Sequence, residues 1–162
     1  MVKCVFGRYT LVMKPQREVF QVSLKVFLRN TKGEFLLLKA RPQDTYGGFY
    51  DLPGGRIDVH ERATPFPEIV QRELHEEIGA IQYTLQPRPV ALGRHTILAK
   101  YTSAGVDTQV FYVFFEAQYK GGDIQVSDEH VAYAWVDLAQ EAPEKYLLSG
   151  NLEGVKTYLA KE

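Results

Sequence analysis

Between residues 18 and 30 the chain alternates loosely. Val19, Gln21, Ser23 and Lys25 fall on one side and Phe20, Val22, Leu24 and Val26 on the other, a period of two that predicts a strand with unlike faces. Thr31, Lys32, Gly33 and Glu34 then form a turn signal before the apolar run 35–38, and the two runs together predict a β-hairpin. Segments 82–85, 90–98, 108–119 and 131–136 are rich in β-branched and aromatic residues and predict further strands. Two stretches carry helical spacing. The first covers 67–79, with Pro65 and Pro67 tolerable in an opening turn and Gly79 placed as a stop. The second covers 151–159, with Asn151 as its cap and Leu152, Val155, Tyr158 and Leu159 on one side, the pattern of a packing helix. Strands and helices do not alternate regularly, so the pattern predicts a mixed sheet with helices on its faces rather than a doubly wound parallel sheet. The expected class is α/β or α+β, of sandwich type. Residues 1–14 look extended, an extra edge strand able to pair with a partner, which makes a homodimer a candidate assembly.

Composition narrows the picture. A chain of 162 residues with 45% hydrophobic and 24% charged content predicts a single domain over 1–162, with no repeat or linker to divide it. Its one cysteine, Cys4, excludes an intrachain disulfide and makes a reducing interior the expectation. Nineteen Lys plus Arg against twenty Asp plus Glu give a net charge of −1, without the basic footprint of a nucleic-acid binder. The longest apolar runs, 110–115 and 131–136, are far short of the roughly 20 residues of a membrane span. The N-terminus lacks the apolar core of a secretory signal, so no membrane partner and a cytoplasmic location are expected.

The helix over 67–79 carries the chemistry. At about 100° per residue, Glu73, Glu76 and Glu77 share an arc of about 100°, beside an apolar stripe of Val70, Leu74, Ile78 and Ile81. Like charges at i, i+3 and i+4 repel, and Arg72, four residues before Glu76, cannot neutralise all three. Hard divalent cations such as Mg²⁺ take oxygen ligands of this kind. The plain alternative is a solvated acidic face, the commoner fate of surface glutamates. What shifts the balance lies upstream: Leu52-Pro53-Gly54-Gly55 places two glycines where the backbone turns tightly or a ligand comes close, and Glu61 follows Gly55 by six positions.

Gly55, Glu61 and the run Arg72-Glu73-Leu74-His75-Glu76-Glu77-Ile78-Gly79-Ala80 resemble the Nudix box, G-x5-E-x7-R-E-U-x-E-E-x-G-U with U apolar. Ten residues instead of seven separate Glu61 from Arg72. The surplus fits best as Arg62-Ala63-Thr64 added to the loop, an addition that costs little free energy. Ala80 is small for its apolar position. The flanks agree: 47–55 is similar to the family's aromatic approach to L-P-G-G, and Ser127-Asp128-Glu129-His130 before the strand bearing Trp135 is similar to its late acidic loop.

The resemblance implies a Nudix α/β/α sandwich with a mixed β-sheet. It also implies a hydrolase that cleaves the pyrophosphate bond of a nucleoside diphosphate-linked small molecule by water attack at phosphorus, with Mg²⁺ or Mn²⁺ as cofactor. Residue by residue, Glu73, Glu76 and Glu77 match metal ligands, joined by the Gly54 carbonyl. Arg72 matches the arginine that holds the glycine loop through Glu61, a pairing the three added residues put at risk. Glu129 is the candidate general base or extra ligand, with Asp128 as fallback. Beside these, Arg41 and Arg56 are candidate phosphate donors, and Tyr46, Phe49 and Tyr50 are aromatic candidates for stacking on a base, Phe49 being the one better suited to a core. His60, His75, His95 and His130 share no metal-ligand spacing, and no zinc site is expected. A sensor that binds a nucleotide without cleaving it is the alternative function, and it predicts missing acids, whereas all three are present. Nucleoside triphosphates, ADP-ribose-like compounds and dinucleoside polyphosphates all stay open as substrates.

Overall fold

The computed structural model describes the backbone of residues 3–6 and 9–12 and all of residues 16–161. Near the start, β1 (Lys3–Phe6) and β2 (Tyr9–Val12) pair antiparallel as a small sheet of their own. The expected single edge strand is therefore two short strands whose facing backbone groups satisfy each other; the rest of 1–14 lies outside the described residues.

The main sheet contains β3 (Gln21–Arg29), β4 (Phe35–Ala40), the two-residue β5 (Tyr50–Asp51), β6 (Gln82–Leu85), β7 (Ala91–Ile97), β8 (Thr108–Gly121) and β9 (His130–Val136). β3 runs parallel to β8, and the other pairings are antiparallel, so the sheet is mixed. The long β8 carries β7 and β6 in succession along its other edge. β9 lies against β4.

Alternation along the strands divides the core in two. Leu24, Val26 and Leu28 of β3, Leu36 and Leu38 of β4 and Phe115 and Ala117 of β8 face α1 (Phe66–Ile78) and its Ile69, Val70, Leu74 and Ile78. Phe27, Phe35, Leu37 and Phe114 face the other way, onto Val155 and Tyr158 of α2 (Ser149–Leu159). The central strands β3, β4 and β8 thus bury both faces between helices, which makes the fold an α/β/α sandwich. No helix of the described residues is long and apolar enough to cross a membrane.

Two local expectations are corrected. The turn at 31–34 forms, with the Gly33 N–H donating to Asn30, but β3 and β4 pair only at Arg29 and Phe35 and then separate. The glycine loop fills the gap: Leu24 N–H donates to the Gly55 carbonyl, Val26 N–H to that of Pro53, and Ile57 N–H to that of Val22. The hairpin is splayed because a third segment satisfies the inner edge of β3. The second correction is at α2, which begins at Ser149 rather than being capped by Asn151. Asn151 lies inside the helix and fully buried, its amide donating to Asp51 Oδ1 at 2.8 Å.

Candidate active site

The odd-numbered face of β3 explains where the site lies. Gln21, Ser23 and Lys25 point away from α1, and before the face reaches Phe27 and the α2 core it borders a cleft of about 1230 Å³. The acidic edge of α1, the glycine loop, the segment after β4, the loop before β9, the end of β7 with the 100–104 segment, and the start of β8 form the rest of the wall.

Gly54 is required twice over. Its φ of 116° lies where side chains are rarely tolerated, and a Cβ there would fall on the Leu24 carbonyl oxygen. At Gly55 a Cβ would collide with the Glu73 carboxylate, 2.6 Å from its Cδ. The loop therefore lies directly against α1. Gly54 N–H donates to Glu77 Oε2 at 2.7 Å.

Arg72 gathers the other acids. It donates through Nε and Nη2 to Glu61 at 2.7 and 2.9 Å, through Nη2 to Glu73 at 2.8 Å and through Nη1 to Glu76 at 2.8 Å. Glu61 is buried and also accepts from Asp58 N–H at 2.9 Å, and these donors hold its carboxyl below the usual range, the Arg72 guanidinium first. The three added residues do not break the link. They fold as a turn immediately after Glu61, closed by Thr64 N–H donating to the Glu61 carbonyl.

Glu77 stands apart from Arg72. Burial pushes its carboxyl up to about 8, against the pull of Lys25, and burial also raises Glu73. Glu76 remains exposed. Among the described residues no three His, Cys, Asp or Glu side chains already converge as a cage. The donor set nonetheless fits a hard cation: carboxylate and carbonyl oxygens along one wall, two of the carboxylates desolvated with their charge only partly offset.

The late loop is fixed by backbone bonds, with Gln125 N–H donating to Ile78 and Ser127 N–H to Glu77. This brings Asp128 and the exposed Glu129 to the cleft. Arg56 lines the cleft and donates to Gln21 at 2.9 Å. Arg41 also lines it, donating to Asp44 at 3.0 Å and to the Asp128 carbonyl at 3.4 Å. Tyr46 reaches the cleft, but its ring is buried, stacked on His95 at 4.9 Å, with its hydroxyl 2.7 Å from that of Tyr112. Phe49 and Tyr50 are outside the cleft lining: Phe49 is half-buried and Tyr50 packs on Tyr146.

Sequence reasoning missed the polar floor. Lys25, only 5% exposed, donates to Asp51 Oδ2 at 3.0 Å and to the carbonyls of Leu52 and Gly54 at 2.9 and 2.6 Å. Asp51 in turn accepts from Leu52 N–H and Asn151. His95 and His130 border the same cleft, each with one buried ring nitrogen that has no partner. The available signal was a lysine in a strand whose neighbours are nearly all destined for burial.

The comparisons with known proteins agree with this geometry. The NUDIX domain matches residues 19–154. No curated protein sequence matches the chain. Among solved structures, the chain is similar to a MutT NUDIX hydrolase from Burkholderia pseudomallei at 26% identity and a TM-score of 0.61, covering 85% of this chain and 99% of that one. It is similar to the E. coli dihydroneopterin triphosphate pyrophosphohydrolase at 22% identity and a TM-score of 0.66, covering 90% and 100%. An ADP-ribose pyrophosphatase from Streptococcus suis aligns at 22% identity and a TM-score of 0.58, covering 88% and 92%. With its glycine loop locked against an acidic helix and the family match spanning most of its length, the chain belongs to the NUDIX family of pyrophosphohydrolases.

Proposed function

We propose that the protein hydrolyses a pyrophosphate bond in a nucleoside diphosphate-linked small molecule, using Mg²⁺ or Mn²⁺. The observation that carries this reading is the pair of buried carboxylates, Glu73 and Glu77, lying against Gly54 and Gly55 at the wall of an open cleft. Buried carboxylates whose charge is only partly offset are costly, and a cleft with cations on its other walls suits a ligand that brings both metal and phosphate. When bound, a divalent cation neutralises phosphate charge and acidifies a coordinated water.

Glu73, Glu76, Glu77 and the Gly54 carbonyl would hold the cation. Arg56 and Arg41 would donate to phosphate oxygens, Arg41 by exchanging its bond to Asp44 for one to substrate. Glu129, exposed at the cleft, is the proposed proton acceptor for the attacking water, with Asp128 beside it. Arg72 keeps the loop in place rather than touching substrate. Tyr46 contributes a fixed wall through its contact with His95.

The test is hydrolysis of a nucleotide panel spanning nucleoside triphosphates, ADP-ribose-like compounds and dinucleoside polyphosphates, with Mg²⁺, with Mn²⁺ and with EDTA, in ¹⁸O-labelled water. Metal-dependent release with label in one phosphate product is expected. Saturable nucleotide binding with no turnover on any member would replace hydrolysis with the sensor function.

A further inference from the structure

Lys25 is a lysine almost without solvent contact in the middle of a strand. Its ammonium has three protons, and the structure supplies three acceptors: Asp51 Oδ2, the Leu52 carbonyl and the Gly54 carbonyl, at 3.0, 2.9 and 2.6 Å. Only one of the three is a counter-charge. The other two belong to the glycine loop, on either side of Pro53, and the shortest bond goes to Gly54. That residue is fixed from its other end by N–H donation to Glu77. Its backbone is thus held between a cation on one strand and an acid on one helix, in a conformation that only glycine tolerates well.

We infer that Lys25 is a positioning residue for the metal-bearing loop: its ammonium aims the Gly54 carbonyl toward the acidic face of α1, a task beyond balancing Asp51. The inference rests on the proposed function of the same site. A carbonyl oxygen has two lone pairs, so donation from Lys25 leaves one for a cation while fixing the direction in which it points. Asp51 and Asn151 complete the support, tying the ammonium to α2 through a part-buried bond. Partners of this outer kind typically change metal affinity or activity by 10- to 100-fold.

Lys25→Met alone would leave half-buried Asp51 without its counter-charge, so loss of function in that variant would not separate charge from geometry. The informative protein is Lys25→Met/Asp51→Asn. It removes one positive and one negative charge together, and Asn keeps an oxygen for Leu52 N–H and Asn151. Its net charge matches the wild type, and since Lys25 acts on Glu77 more strongly than Asp51 does, the residual change in field favours a cation, so weaker metal binding reports the aim of the loop. We expect the double variant to recover most of the Tm lost by Lys25→Met, measured with EDTA. It should still bind Mn²⁺ about tenfold more weakly by electron paramagnetic resonance, with kcat reduced and KM for the nucleotide little changed. In the wild type, saturating Mn²⁺ should broaden the NMR signals of the Gly54 amide and the Lys25 Nζ.

Wild-type Mn²⁺ affinity and kcat in a folded double variant would reduce Lys25 to a counter-ion and overturn the inference alone. Unbroadened Gly54 and Lys25 signals in a wild type that binds Mn²⁺ would overturn it without any variant. A wild type that neither binds Mn²⁺ nor hydrolyses any nucleotide would overturn the functional reading, and this inference with it.

Discussion

Glu77 feels influences that pull in different directions. Burial lifts its carboxyl to about 8, while Lys25 and the Gly54 N–H favour the charged form. Glu77→Gln keeps the shape and an oxygen for Gly54 N–H while removing the charge. With a direct role at a catalytic cation, the change is expected to cost on the order of 10²-fold in kcat, about 2.7 kcal/mol of transition-state stabilisation. Metal-free stability should move the other way. A carboxyl whose pKa is raised on folding takes up a proton as the chain folds, so the metal-free protein loses stability as pH rises from about 4.5 to about 8. Glu77→Gln should remove that loss and raise the Tm measured with EDTA near pH 8. Near-normal kcat together with an unchanged Tm would leave Glu77 no role at the metal.

At the scale of elements, α1 was legible because one short run carries both its apolar and acidic stripes, and because Gly79, at φ 80°, ends it where a stop was expected. The path of β3 and β4 was not legible, since a good local turn says nothing of a distant loop bonding between the strands. Asn151 failed as a cap for a related reason: distant Asp51 claims its amide. The three-residue addition lies between these cases. Its length was readable from spacing, but only the turn that follows Glu61 explains how the Arg72 link survives. The fork that joins them makes a testable unit. Arg72→Ala leaves buried Glu61 without its cation and frees Glu73 and Glu76, so both Tm and kcat should fall. Glu61→Gln should do less, because Asp58 N–H keeps an acceptor. Residues sharing one network do not add, so the double variant should be barely worse than Arg72→Ala alone, read by thermal unfolding and turnover. Wild-type behaviour in both single variants would show that the link carries nothing.

At the scale of the whole molecule, six of the strands and both helices followed from local pattern and composition, whereas the parallel pairing of β3 with β8 joins segments some ninety residues apart and leaves no local mark. The cleft floor is hidden for the same reason: His95, from β7, and His130, at the head of β9, meet Lys25 and Asp51 only when the sheet is assembled. Burial is the first cause holding both histidines below their usual pKa of 6.5. The sign follows directly. A group whose pKa is lowered on folding binds its proton more readily in the unfolded chain, so acid favours unfolding, and the loss sets in as pH falls through about 6.5. Glu77 and Glu73, both raised, push the opposite way over part of this range and mask the effect in the wild type. The comparison must therefore be made as a difference, in the Glu77→Gln protein with EDTA, with and without His95→Gln and His130→Gln. Glu73 then cancels, since it is present in both proteins. The Tm gap between the two should shift in favour of the protein lacking His95 and His130 as pH drops from about 7.5 to about 5.5. A gap independent of pH would show that neither histidine is kept neutral by folding, and that the cleft floor is wetter than the burial of its ring nitrogens implies.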